Sequence, residues 1–202
     1  EFGAADGKDC SNTKRLRDEG WSALLLEADP DLHAILASDA GVPGRVECVN
    51  AYVTPENINH YLAGRPVDFM SIDVDGDDYA IFASLEVSPR ILCIEYNGSV
   101  PPHVSLRQRD RGTGFGASAK ALCELATEKG YGLLEVTAGN LLFVQDDDVE
   151  LFAGYERDLA TLFNTSTLSY VATDYNGRPV IVGATPPWGL RSTVFVGATE
   201  GD

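Results

Sequence analysis

Positive charge is what this sequence lacks most. Fifteen Lys and Arg stand against 31 Asp and Glu, a formal net charge of −16 over 202 residues. Such a surface repels phosphate backbones and anionic lipid, so neither nucleic acid nor a membrane is an expected partner. No run of 18 apolar residues occurs, and no basic-then-apolar leader, so the sequence offers no candidate for a membrane-spanning helix or a secretion signal. The four cysteines (Cys10, Cys48, Cys93 and Cys123) are scattered without a CxxC pair. Three of them lie in or beside apolar stretches, which suits reduced thiols in a cytoplasmic protein better than a disulfide frame. There is also no GxGxxG and no Tyr-x-x-x-Lys pair, and only three histidines. The chain opens on Glu1, inside what reads as a motif, so residues upstream are expected.

What is present is an alternating pattern. Hydrophobic residues make up 44% of the chain, enough to bury the core of one domain with an appendage. Apolar or β-branched runs occur at ALLLEA (23–28), VECVNAYV (46–53), VDFMSIDV (67–74), ILCIEY (91–96), GLLEV (132–136) and LLFVQ (141–145). Between them lie segments of helical character: SNTKRLRDEG, PDLHAILASD, PENINHYLAG, DDYAIFASLE and GASAKALCELATEKG. Pro30 marks a helix start, and Gly20 and Gly130 mark helix ends. Strands alternating with helices predict an α/β fold built on a largely parallel sheet. The last two runs are separated only by TAGN, which pairs them as an antiparallel hairpin. After Asp148 the style changes. VELFAGYERDLATLF (149–163) predicts a helix, and SYVATDYNGRPVIVG (169–183) a hairpin turning at Asn176-Gly177. The tail, 185–202, gives no reading.

The opening EFGAADGKDCSNT places two glycines and two alanines where a first strand should turn into a helix. Small residues there let backbone N–H groups approach a ligand, and a helix N-terminus favours electronegative groups. Glu27 ends the next strand, 20 positions after Gly7, where an acid can accept both hydroxyls of a ribose. That logic serves a dinucleotide or S-adenosylmethionine equally. Plain turn geometry at Gly3 and Gly7, and an ordinary helix entry at Glu27, are the bland readings.

Taken together, EFGAADGKDCSNT, GWSALLLEADP, SIDVDGDDYAIF and CIEYN resemble, in order and spacing, the FkbM-like branch of class I S-adenosylmethionine-dependent methyltransferases. The resemblance covers about residues 1–146, with GASAKALCELATEKGYGLLEVTAGNLLFV matching its later part. It implies a Rossmann-like sheet of seven strands, mostly parallel with the last strand inserted antiparallel, and helices on both faces. The domain expected from it is 1–148, its first strand truncated ahead of Glu1, with 149–202 a C-terminal helix and hairpin. S-adenosyl-L-methionine is the implied cofactor. Its implied contacts are Glu1, Gly3, Ala5, Gly7 and Asn12 in the first loop, Glu27 at the ribose, Asn50 and Ala51 at the adenine, and Asp73. A homodimer is compatible with it.

The stretch IDVDGDDY (72–79) packs four carboxylates around one glycine. An EF-hand needs Gly at loop position 6 and Glu at position 12. Counted from Asp73, those positions are Asp78 and Ser84, so the calcium loop fails. Ligands of open α/β sheets sit at the carboxyl ends of the strands, and Asp73, Glu95 and Asn97 end adjacent strands. Oxygen ligands of that kind suit Mg²⁺, Mn²⁺ or Ca²⁺. The arrangement resembles metal-dependent O-methyltransferases; without metal, the same acids could act as a general base or bind the acceptor. Asp75 and Tyr96 are candidates for acceptor contact. Asp77 and Asp78 are expected to cap the following helix.

His103, on the loop after IEYNGSVPP, is either a catalytic base or a solvated loop residue; His33 and His60 read as structural. SLRQRDRGTGFGAS concentrates arginine in a chain short of it. Arg107, Arg109 and Arg111 could bind an anionic acceptor group or pair with the acidic surface, and GTGFGAS suggests a mobile lid. The function expected is methyl transfer from S-adenosylmethionine to a small-molecule hydroxyl of sugar or natural-product type, with nitrogen second. The alternatives are an NAD-dependent oxidoreductase and an inactive binding domain of the same fold.

Overall fold

A computed structural model describes residues 1–183; the tail that gave no reading lies outside the described residues. Six strands build the main sheet: β1 (Ala23–Glu27), β2 (Val46–Asn50), β3 (Phe69–Ile72), β4 (Ile91–Glu95), β5 (Tyr131–Val136) and β6 (Asn140–Gln145). β1 pairs in parallel with β2, and β3 with β4; β6 runs antiparallel to both β4 and β5. The β5–β6 hairpin closes where TAGN predicts, with Thr137 N–H donating to Asn140 O at 2.8 Å.

Between β1 and β3 the sheet is joined through the first residues of the chain. Phe2 bridges in parallel to Leu26 on one side and Ile72 on the other, giving the order β2-β1-Phe2-β3-β4-β6-β5, and Glu1 exchanges hydrogen bonds with Leu24 and Leu26. Six of the seven expected strands are therefore formed.

The connecting helices are α1 (Lys14–Asp18), α2 (Pro30–Asp39), α3 (Ile58–Leu62), α4 (Asp78–Ser84) and α5 (Ala119–Glu128). α2 starts on Pro30, and its Asp29 cap accepts from Asp31 N at 2.8 Å and Leu32 N at 3.1 Å. Ser118 caps α5 through Ala121 N, and Gly20 and Gly130, both at positive φ, follow α1 and α5. Strand alternation divides the core. Leu25 packs with Leu36 of α2 on one face, while Leu26, Met70, Ile72, Ile94 and Leu122 belong to the larger cluster on the other. The fold is thus α/β with a mixed sheet covered on both faces. No described helix is long and apolar enough to cross a membrane. All four cysteines are free thiols.

Residues 149–163 differ from the single helix that their spacing predicts. A 3-10 segment (Asp146–Phe152) is broken by Gly154 in the left-handed region, and a separate turn, α6 (Leu159–Leu162), starts where Asp158 accepts from Thr161 N. The chain then forms the hairpin β7 (Ser169–Thr173) and β8 (Pro179–Gly183), turning through Asn176-Gly177.

Candidate functional site

The four parallel strands β1 to β4 end at one edge, which brings Glu27, Asn50, Asp73 and Glu95 together there. Glu27 and Asn50 are in register. The loop leaving Phe2 crosses the same edge. Its left-handed positions are Gly3, Ala5, Gly7 and Cys10. At Gly3, a Cβ would stand 1.7 Å from Asp73 O; at Gly7 it would meet Leu36 Cδ1 at 2.5 Å. Both glycines are thus required by the protein's own packing.

The acids of this loop are held by donors. Glu27 is buried, with Ala5 N–H on Oε2 and Asp29 N–H on Oε1, each at 2.7 Å. Glu1 accepts from Asn12 N (2.8 Å), Ser11 Oγ and Thr13 Oγ1. Its carboxylate thus supports the fold of residues 11–13. Asn12 Nδ2 reaches Ser71 Oγ at 3.0 Å. Asn50 Nδ2 donates to Glu27 O and Ala28 O, and Ala51 N–H to Glu27 O, so both brace the end of β1. The sequence reading missed Arg17. Buried in α1, it donates to Gly7 O at 2.5 Å and to Ser11 Oγ at 3.1 Å. Only its place in a helix next to the glycine loop could have signalled it.

The carboxylate loop is organised from inside. Asp78, 1% exposed, accepts from Val74 N and Gly76 N, both at 2.9 Å. Burial still drives its pKa up to about 6. Its side chain folds the loop and does not cap α4. Asp77 stands at the cap position but makes no cap bond; it accepts instead from Gln108 Nε2 (2.6 Å) and meets Arg111 Nε at 3.4 Å. The tight loop holds Asp75 at φ 58° and brings carboxylate oxygens of Asp73, Asp75 and Glu95 within 4.8 Å of one another. No protein N–H or O–H donor among the described residues neutralises this trio. Burial, then the charges of Asp78 and Asp75, raises the pKa of Asp73, and burial, then the charges of Asp73, Asp78 and Asp75, raises that of Glu95. Three oxygen ligands held against their mutual repulsion suit a hard divalent cation.

Asn97 does not join the trio. Its Oδ1 accepts from Ser99 N (3.0 Å) and Ser99 Oγ (2.5 Å), and its Nδ2 donates to Phe115 O. The third carboxylate beside Asp73 and Glu95 is Asp75. Tyr96 is also turned away: its hydroxyl donates to Thr137 O at 2.8 Å and its ring meets Phe163 edge-on. Burial raises that hydroxyl's pKa to about 12, and Tyr96 packs into the core. His103 is exposed, its carbonyl tied to Lys120 Nζ, and no side-chain bond links it to Asp73.

The arginine loop lies over the carboxylate loop and is tied down. Gln108 Oε1 accepts from Thr113 Oγ1, Phe115 N and Gly116 N, and Arg107 bridges Ala117, so GTGFGAS is a fastened cover. Arg111 is committed to Glu56 in a two-pronged pair at 2.8 and 3.1 Å, which holds Glu56 down to about 2. Arg107 stacks on the Tyr79 ring at 5.1 Å and donates to its hydroxyl. Among the described residues neither Arg107 nor Arg109 has an acidic partner within ion-pair distance. They line a groove of about 650 Å³ with Gly76, Asp77 and Tyr79.

No family model matches the sequence, and no curated protein matches it. Solved structures similar in outline include an S-adenosylmethionine-dependent methyltransferase from Methanosarcina mazei, at 15% identity over 71% of this chain and 90% of that one, TM-score 0.43. A TehB-like S-adenosylmethionine-dependent methyltransferase from Corynebacterium glutamicum is similar at 13% identity over 72% and 78%, TM-score 0.43. The [4+2]-cyclase SpnF is similar at 17% identity over 66% of this chain and 51% of that one, TM-score 0.41. These are likenesses of outline, and the site is read from its own residues.

Proposed function

We propose that this chain is an S-adenosylmethionine-dependent methyltransferase domain acting on the hydroxyl of a small-molecule acceptor. One observation carries the reading: a small-residue loop with a buried, ribose-competent Glu27 stands at the same sheet edge as the Asp73–Asp75–Glu95 trio. Each Glu27 oxygen holds one backbone amide, which leaves lone pairs for two ribose hydroxyls. Bound there, S-adenosylmethionine supplies an electrophilic methyl group on its sulfonium. The trio faces the acceptor. A carboxylate of Asp73 or Glu95 accepts the hydroxyl proton as the new O–CH₃ bond forms and the S–CH₃ bond breaks. Asp73, Asp75 and Glu95 are also the residues that would hold Mg²⁺, Mn²⁺ or Ca²⁺, whose positive charge would favour the acceptor's alkoxide form. Arg107 and Arg109, with no acid of their own, suit a carboxylate or phosphate elsewhere on the acceptor.

The test is calorimetric titration with S-adenosylmethionine, S-adenosylhomocysteine and NAD, followed by release of S-adenosylhomocysteine across a panel of sugar and phenolic hydroxyls with and without EDTA. Binding of the first two in preference to NAD, and turnover with at least one hydroxyl acceptor, are expected. NAD binding without S-adenosylmethionine binding would overturn the reading.

A further inference from the structure

One polar atom beside the carboxylate trio has no partner. Among the described residues, two side-chain atoms are enclosed without a hydrogen bond: His33 Nε2, on α2, and Asn140 Oδ1, at the start of β6. Asn140 belongs to TAGN, which the sequence marks only as a turn. Its backbone is paired with Thr137: the N–H donates to Thr137 Oγ1 and the C=O accepts from Thr137 N–H, each at 2.8 Å. The side-chain oxygen is left over. An enclosed amide oxygen without a partner costs free energy that a cation or a donor recovers.

The strand register puts this residue beside the trio. Glu95 of β4 and Asn140 of β6 stand directly opposite each other. Tyr96 N–H donates to Gly139 O at 2.9 Å, so the next pair along is hydrogen-bonded and Glu95–Asn140 is the closer, non-hydrogen-bonded kind. Side chains of such a pair share one face of the sheet, with Cβ atoms about 4.5–5.5 Å apart. On the other side of Glu95, the parallel register pairs Ile72 with Ile94, and its next step sets Asp73 beside Glu95. Asp73, Glu95 and Asn140 therefore form one row across three strands, and Asp75 joins it from the loop. Two strand spacings, about 9–10 Å, separate the ends of the row. Two short side chains and two metal–oxygen bonds of about 2.1 Å span that distance. Asn97 gives the contrast: both ends of its amide are bonded, to Ser99 and to Phe115. The terminal torsion of an Asn is broad, and Asn140 Oδ1 breaks no hydrogen bond in turning towards Glu95.

We propose that Asn140 supplies the fourth oxygen of a divalent-cation site whose other three are carboxylate oxygens of Asp73, Asp75 and Glu95. The proposal rests on the reading of that trio as the part of a methyl-transfer site able to hold Mg²⁺, Mn²⁺ or Ca²⁺. Three carboxylates already exceed the charge of one such ion, so a neutral amide oxygen adds a ligand without adding repulsion. Asn140 thereby takes the amide position for which the sequence suggests Asn97.

The experiment titrates Mn²⁺ alone, without S-adenosylmethionine or acceptor, into the unmodified chain, Asn140→Ala, Asn140→Asp and Asn97→Ala. Binding is read from the loss of the free-ion electron paramagnetic resonance signal, and melting is followed in EDTA and in Mn²⁺. Asn140→Ala is expected to bind about tenfold or more weakly. It should still melt within about 2 °C of the unmodified chain in EDTA, because no side-chain hydrogen bond is lost, and should gain less from Mn²⁺. Asn140→Asp keeps the oxygen and should bind at least as tightly as the unmodified chain. Asn97→Ala should stay within about threefold of it. Unchanged Mn²⁺ affinity in Asn140→Ala overturns the proposal and leaves the trio in place. Asn140→Asp binding as weakly as Asn140→Ala overturns the oxygen-ligand role, since that variant lacks only the amide N–H groups. No Mn²⁺ binding to the unmodified chain overturns the cation site as a whole, while S-adenosylmethionine binding answers to its own titration.

Discussion

Two sets of carboxylates stand at the same edge of the same sheet and are treated in opposite ways. Glu1 and Glu27 are each surrounded by donors, and their charge is spent on folding the first loop. Asp73, Asp75 and Glu95 bring carboxylate oxygens within 4.8 Å of one another with no such donors among the described residues, and two of them are pushed towards holding a proton. A satisfied acid organises structure; an unsatisfied cluster stores free energy that a proton, cation or polar ligand can release. The four acids of IDVDGDDY are split by the same rule. Asp78 is turned inward to fold the loop and Asp77 fastens the cover, which leaves Asp73 and Asp75 for the site.

The strongest way to break this contrast is at the point where the two loops touch. Gly3→Ala forces a Cβ into Asp73 O from a left-handed backbone, and neither partner is a side chain that can swing away. A loss of about 4 kcal/mol or more is expected in urea unfolding. Next, Asp78→Ala strands the Val74 and Gly76 amides and should cost about 2–4 kcal/mol, whereas Asp75→Ala, at an exposed residue, should stay within about 0.5 kcal/mol. Similar losses at both positions would erase the distinction between the inward and outward acids.

The pH dependence of stability sharpens the comparison further. Asp73, Asp78 and Glu95 all have raised pKa values in the folded protein. The native state therefore keeps protons that the unfolded chain releases, and stability falls as pH rises through the folded values. In EDTA the melting temperature should drop by several degrees between roughly pH 4 and pH 8, and Asp73→Asn or Glu95→Gln should flatten that slope. A smaller effect concerns the cluster's third member: Mn²⁺ affinity should fall about tenfold or more in Asp75→Asn and change little in Asn97→Ala. The reverse result would restore Asn97 to the trio.

How far the sequence reveals this depends on how local the cause is. The strands are legible because β-branched runs are bounded by turn residues, and the β5–β6 hairpin because TAGN leaves no room for a crossover. Asp29-Pro30 likewise announces α2 by itself. The segment 149–163 misleads because its apolar spacing suits a helix, while Gly154 and Asp158 break it into two turns. Asp73 and Glu95 are legible as strand-end acids. The exchange of Asp75 for Asn97 is not, since it depends on the buried Asp78 carboxylate bending Val74–Gly76 back and on Ser99 occupying the Asn97 amide.

The division of labour along the sheet edge is tested most directly by titrating S-adenosylmethionine calorimetrically into the unmodified chain, Glu27→Gln and Glu95→Gln. The account predicts binding to the unmodified chain, affinity about tenfold or more weaker in Glu27→Gln, and affinity within about twofold of the original in Glu95→Gln. No binding to the unmodified chain, or equal losses in both variants, would contradict it.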